Sequence, residues 1–126
     1  MKINHIGIVV KDIDKSIFLY RKMGYVLQDC VINDFNQQNK IAFLYLDCNH
    51  CIELIEPLSN KSTVINCEVG YHHICYEQEQ GEDLISSFKS LNIGKIFTSP
   101  ICAPALNDRS VYFACLRNGL LVEFLI

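Results

Sequence analysis

A chain of 126 residues, half of them hydrophobic, is long enough for one compact domain and too short for two ordinary ones. Eleven basic against fourteen acidic residues leave a net charge of −3, with no basic stripe to follow a phosphate backbone, so nucleic acid is not an expected partner. No apolar stretch reaches the ~20 residues that cross a bilayer, and the opening residues lack the apolar core of a signal peptide, so the expectation is a cytoplasmic protein with no membrane association.

Residues 3–10 alternate. Ile3, His5, Gly7 and Val9 share one face, and Asn4, Ile6, Ile8 and Val10 share the other. The second face carries the aliphatics that a helix would cover; the first carries a histidine and a glycine. An acidic turn follows, then a helical stripe of Ile13, Ile17, Tyr20 and Met23, with Gly24 where a C-terminal cap glycine belongs. After a short strand and a polar stretch comes a hairpin of two apolar strands. Its turn region carries Cys48 and Cys51 in a CxxC spacing. No second pair at zinc-ribbon spacing exists and no helix starts there, so these read as hairpin cysteines. The other five (Cys30, Cys67, Cys75, Cys102, Cys115) are scattered. In a chain without an export signal they read as reduced thiols.

The pattern then repeats. His73-Ile74-Cys75-Tyr76 answers His5-Ile6-Gly7-Ile8 at an offset of 68. Leu84, Ile85, Phe88 and Leu91 form a second helical stripe, capped by Asn92. The second hairpin aligns at an offset of 70, matching Ile41 with Val111, Phe43 with Phe113, Leu46 with Leu116 and Glu53 with Glu123. The fold expected is α+β, two tandem βαβββ modules forming a curved sheet around a metal-binding cleft. Module 1 covers about 1–58, a linker about 59–69, and module 2 about 70–126 of a single domain.

Glu53 and Glu123 each sit mid-strand, flanked at i±2 by Cys51 and Ile55, and by Leu121 and Leu125. An ionised carboxylate so placed costs several kcal/mol unless paired or bound to a cation. Neither strand carries Lys or Arg. The residues sharing their place in the repeat are His5 and His73. A single strand histidine is ordinarily a hydrogen-bonded core residue, but two imidazoles and two carboxylates in equivalent positions make a mixed N/O ligand set for one divalent ion. His72, adjacent to His73, points to the opposite face, and His50 reads as a surface residue.

These residues carry a resemblance. The segments NHIGIVVKDIDKSIFLYRKMGY, IAFLYLDCNHCIELIEPL, YHHICYE and NGLLVEFL resemble the vicinal oxygen chelate (glyoxalase/bleomycin-resistance/dioxygenase) superfamily, closest to its methylmalonyl-CoA epimerases and lactoylglutathione lyases, over essentially the whole chain. The resemblance implies metal ligation by His5, Glu53, His73 and Glu123, with Co, Ni, Zn or Mn as the ion. It implies an enzyme that abstracts a proton α to a carbonyl, either an epimerase-like isomerase or a glyoxalase-type lyase acting on a hemithioacetal. Glu123 is then the first candidate for the base and Glu53 the second, and Arg109 is a candidate for binding an anionic substrate. A small-molecule substrate and a homodimer are the partners implied. Two departures stand out. The strand over residues 41–46 carries no carboxylate, and the loop over 99–109 holds two prolines where epimerases tend to have glycines. The alternatives are an antibiotic-binding resistance protein of the same fold, which commonly lacks the ligands, and an extradiol-type dioxygenase or a thiol transferase, in which Glu53 would fill a position those chemistries keep open.

Overall fold

The computed structural model describes residues 1–126. The chain is α+β, with ten strands and two helices: β1 (Lys2–Val9), α1 (Ile13–Lys22), β2 (Val26–Leu27), β3 (Ile32–Asp34), β4 (Asn39–Asp47), β5 (His50–Pro57), β6 (Gly70–Glu77), α2 (Leu84–Leu91), β7 (Gly94–Ile96), β8 (Ile101–Ala103), β9 (Arg109–Leu116) and β10 (Leu121–Leu125). Each half thus holds one strand more than βαβββ. The additions, β3 and β8, are three residues long and pair with β4 and β9. They are too short for alternation to register in the sequence. Contacts divide the chain into two compact units, one of residues 5–72 and one of residues 73–126 together with 1–4.

In the first unit the strands run in the order β2-β4-β5-β1. β4 and β5 are an antiparallel hairpin, and β1 lies parallel to β5 with Gly7 opposite Glu53. α1 starts where Asp12 caps it, its side chain accepting from the Lys15 amide at 2.9 Å. It stops where Gly24, at φ +98°, and Tyr25 return their amides to the carbonyls of Arg21 and Tyr20. Ile13 and Ile17 bury against Val10, Ala42, Leu44, Ile52 and Leu54. Met23 is exposed, because the helix ends before it can turn inward. Ile6 is 39% exposed as well, since α1 packs on β4 and β5 and leaves the start of β1 uncovered. The hairpin turn falls on Cys48 and Asn49, and His50 opens β5 at the surface with its Nδ1 against the Asp47 carboxylate. The segment the sequence marks as a linker is held here. Ser62 is buried and donates to Asn39, whose amide nitrogen donates to Thr63.

The second unit repeats this plan in the order β6-β10-β9-β7. β10 is parallel to β6 with Glu123 opposite Cys75, and antiparallel to β9 with Glu123 opposite Phe113. Asp83 caps α2, and Asn92 ends it in the left-handed conformation at φ +52°. Leu84 and Phe88 bury against Ala114, Val122 and Phe124, while Leu91, beside the cap, stays exposed. Gly94 lets β7 close on β9, for a Cβ there would lie 2.5 Å from the Cys115 carbonyl oxygen and 2.9 Å from Phe88 Cζ.

One ion pair is specific to this unit. Burial by itself would push the Glu77 carboxyl up, but hydrogen bonds from Arg109, Asn4 and Lys2 outweigh it and hold the pKa at about 2, against an ordinary 4.5. Arg109 also reaches the Ile126 carbonyl, 3.5 Å from its Nε.

Two stability outcomes are expected. Gly94→Ala should lower the free energy of unfolding by about 1–3 kcal/mol, because backbone rather than a flexible side chain must yield, and a denaturation midpoint equal to the parent's would show that β7 shifts freely. A carboxylate with a depressed pKa stabilises the fold above its unfolded value, and that contribution drains as pH falls from 4.5 toward 2. The difference in melting temperature between the parent and Glu77→Gln should therefore be largest near neutral pH and shrink across that window, and a difference independent of pH would remove the ion pair as its source.

Candidate active site

Parallel pairing builds the same device in each unit. On β1, His5 sits two residues before Gly7, on the same face, and Gly7 is the direct partner of Glu53. The imidazole leans along the strand and brings Nε2 to 3.4 Å from Glu53 Oε2. On β6, His73 sits two residues before Cys75, the direct partner of Glu123, and its Nε2 lies 3.2 Å from Glu123 Oε2. A phenylalanine braces each ring edge-on from the neighbouring hairpin strand. His5 meets Phe43 with centroids 5.0 Å apart, and His73 meets Phe113 at 5.5 Å. The two phenylalanines are also the antiparallel partners of the two glutamates. Each glutamate is therefore boxed by an imidazole, an aromatic ring and apolar strand neighbours.

The four polar groups are nearly closed to solvent: His5 is 0% exposed, His73 1%, Glu123 4% and Glu53 8%. A charged pair sharing one proton would draw its heavy atoms to about 2.7–2.9 Å. The separations of 3.2 and 3.4 Å are wider. Two donors on one ion, with bonds of about 2.0–2.2 Å at tetrahedral to right angles, stand roughly 3.0–3.4 Å apart. Donor chemistry and spacing both fit a divalent transition ion, with imidazole nitrogen and carboxylate oxygen as its ligands.

His5 and Glu53 are thus brought together, as are His73 and Glu123. Arg109 is engaged elsewhere, on Glu77. His72 is half-buried, and strand alternation turns it away from the His73 face. Next to the first pair the structure adds Tyr45, which sequence reasoning passed over, and gives Cys51, read from the sequence as a hairpin cysteine, a place beside it. Tyr45 stands directly opposite Cys51, two residues before Glu53 on the same face, and its hydroxyl hydrogen-bonds the Cys51 thiol. Burial pushes that thiol's pKa up, partly offset by the Tyr45 bond and by His5. The signal was available in the alternation of residues 41, 43 and 45. It needed the hairpin register to show which residue faces which. No helix of the protein is long and apolar enough to cross a membrane.

Known proteins share this arrangement of elements. The family model of the Glyoxalase/Bleomycin resistance protein/Dioxygenase superfamily matches residues 4–113. The mitochondrial methylmalonyl-CoA epimerase of Dictyostelium discoideum is 26% identical over 129 residues, spanning 97% of this chain and 76% of that protein. Among solved structures, a hypothetical protein from Bacillus halodurans C-125 superposes with a TM-score of 0.82 at 28% identity, over 98% of this chain and 92% of that one. Methylmalonyl-CoA epimerase from Mycobacterium tuberculosis superposes with a TM-score of 0.81, over 98% of this chain and 86% of that one, and at 20% identity it speaks for the fold alone. With the family model covering most of its length, the chain belongs to the Glyoxalase/Bleomycin resistance protein/Dioxygenase superfamily.

Proposed function

We propose that the protein is a metal-dependent isomerase that removes and returns a proton α to a carbonyl, with an acyl-thioester of the methylmalonyl-CoA type as substrate and a hemithioacetal, the glyoxalase-type substrate, as the other member of the class. The observation that carries this is the duplicated His–Glu pair, buried and spaced as ligands of one ion are spaced. In this reading His5, Glu53, His73 and Glu123 hold one divalent ion (Co, Ni, Zn or Mn). When bound, the ion supplies Lewis acidity that makes a C–H bond α to a carbonyl easier to ionise.

The chain's own residues do the rest. Glu123 accepts the proton at a carboxylate oxygen and gives it back. Its burial beside Phe113, Cys75 and Leu125 keeps water from competing for that proton. Epimerisation needs a second proton-transfer group on the opposite side of the planar carbon. With no carboxylate among residues 41–46 of β4, Glu53 takes that part. Phe43 and Phe113 fix the two imidazoles, so the donors keep their orientation through turnover. The relative from Dictyostelium discoideum supports the epimerase side of the class. A homodimer belongs to the same reading, supported by apolar Met23, Val26 and Leu46 exposed on and beside the short strand β2.

Metal analysis of the purified protein should find about one equivalent of a divalent transition ion, lost to a chelator and restored on adding Co or Zn. Mass spectrometry of methylmalonyl-CoA in D₂O should show enzyme-dependent uptake of one deuteron. Glu123→Gln should slow that exchange by about 10²–10⁴-fold, and His73→Ala should empty the metal site. A protein that takes up no metal would overturn the enzyme reading. Full exchange and full metal content in Glu123→Gln would overturn the choice of base, and exchange seen only with a hemithioacetal would move the activity to the glyoxalase side.

A further inference from the structure

The repeat that makes the two His–Glu pairs equivalent breaks at one place beside them. On β4 and β5, the face that carries Glu53 also carries Ile41, Phe43, Tyr45, Cys51 and Ile55. Tyr45 is the only hydroxyl among them. Its counterpart 70 positions on is Cys115, so the second unit offers no hydroxyl at the same point. The backbone marks the position as well. The β4–β5 register slips between Tyr45 and Asp47, placing Leu46 in a bulge immediately after the tyrosine, whereas β9 and β10 pair without a break from Val111 to Cys115. A bulge re-aims the side chain beside it and is a common device at active sites.

Tyr45 is half-buried, between the buried Phe43 and the exposed Leu46, so its ring stands at the boundary of the apolar face. Its hydroxyl is held by the Cys51 thiol, whose own Sγ lies 3.7 Å from the Ile52 carbonyl oxygen. Sulfur is a weak acceptor. A phenol donating to sulfur is oriented by it, and gives it up at little cost when a charged oxygen arrives. The Cys51 thiol in turn lies within electrostatic reach of both His5 and Glu53, so the hydroxyl belongs to the neighbourhood of that pair.

From this we infer that Tyr45 is a substrate-contacting residue, whose hydroxyl donates a hydrogen bond to the oxygen on which negative charge develops as the α-proton leaves, with Cys51 as the positioning residue that aims it. The inference rests on the proton-transfer reading above and names a further residue for it. A donor aimed at developing charge in an apolar surround strengthens as the charge grows, so it acts on turnover more than on ground-state binding. The phenol moves no proton of its own in this role.

Tyr45→Phe removes the donor and keeps the ring. Its metal content and melting temperature should match the parent's, while kcat for deuterium exchange into methylmalonyl-CoA falls about 10²-fold and KM changes by less than about threefold. Affinity for 2-nitronate-propionyl-CoA, an anionic enolate mimic, should drop by about the same factor as kcat. Cys51→Ser, which keeps an acceptor at that position, should keep most of the activity, and Cys51→Ala should lose part of it. Unchanged kcat and unchanged nitronate affinity in Tyr45→Phe would overturn the inference and leave the proton-transfer reading standing. A metal-loaded parent protein that exchanges no α-proton would overturn that reading, and the role of Tyr45 with it. If Tyr45→Phe loses metal or unfolds, Tyr45→Met with the parent's metal content serves as the second variant, and full activity there would equally sink the assignment.

Discussion

A carboxylate in the middle of an apolar strand is tolerable only if something compensates its charge, and this constraint organises both halves of the protein. Glu53 and Glu123 each occupy such a place, and the adjacent parallel strand delivers an imidazole to each, making a nitrogen–oxygen donor pair of the kind that holds a cation. Parallel pairing is what allows it. The histidine sits two residues before the glutamate's direct partner and reaches forward along the strand. An aromatic ring from the antiparallel neighbour then closes the side. The hairpins, the helices and the caps serve to hold three strands in the register that this contact requires.

Duplication of a module duplicates its chemistry, and the departures from symmetry show where the halves have specialised. The second unit carries a Glu77–Arg109 ion pair, whereas the corresponding positions of the first are Val9 and Asn39. Asn39 instead ties down the chain between the units' elements through Ser62 and Thr63. Beside the glutamates, Gly7 in one half stands where Cys75 stands in the other, and Tyr45 where Cys115 stands. Substitutions of this kind leave the fold unaltered while giving the two pairs different surroundings.

Much of this was legible in the chain itself, because the signals involved are local. Alternation over residues 3–10 separates the histidine face from the aliphatic face. The 3.6-residue spacing of Ile13 and Ile17, or of Leu84 and Phe88, marks the helices, and Gly24 and Asn92 mark their ends. Four chemically improbable residues in repeat-related positions point to a ligand set through residue type and spacing alone. The short strands β3 and β8 were not legible, since three residues carry no period. Nor was the exposure of Ile6, which depends on how far a helix extends over a strand rather than on the strand's own pattern.

The amino-acid sequence by itself determined the class of fold and singled out His5, Glu53, His73 and Glu123 as candidates, because each follows from residue type and spacing along one segment. Only the tertiary structure decided that His5 pairs with Glu53 and His73 with Glu123, that Arg109 is committed to Glu77, and that Tyr45 stands against Cys51. Those are facts of register between segments, most of them dozens of residues apart. Register is set by the joint packing of both faces of a sheet, and a slip of one residue would send every one of these side chains to the wrong side.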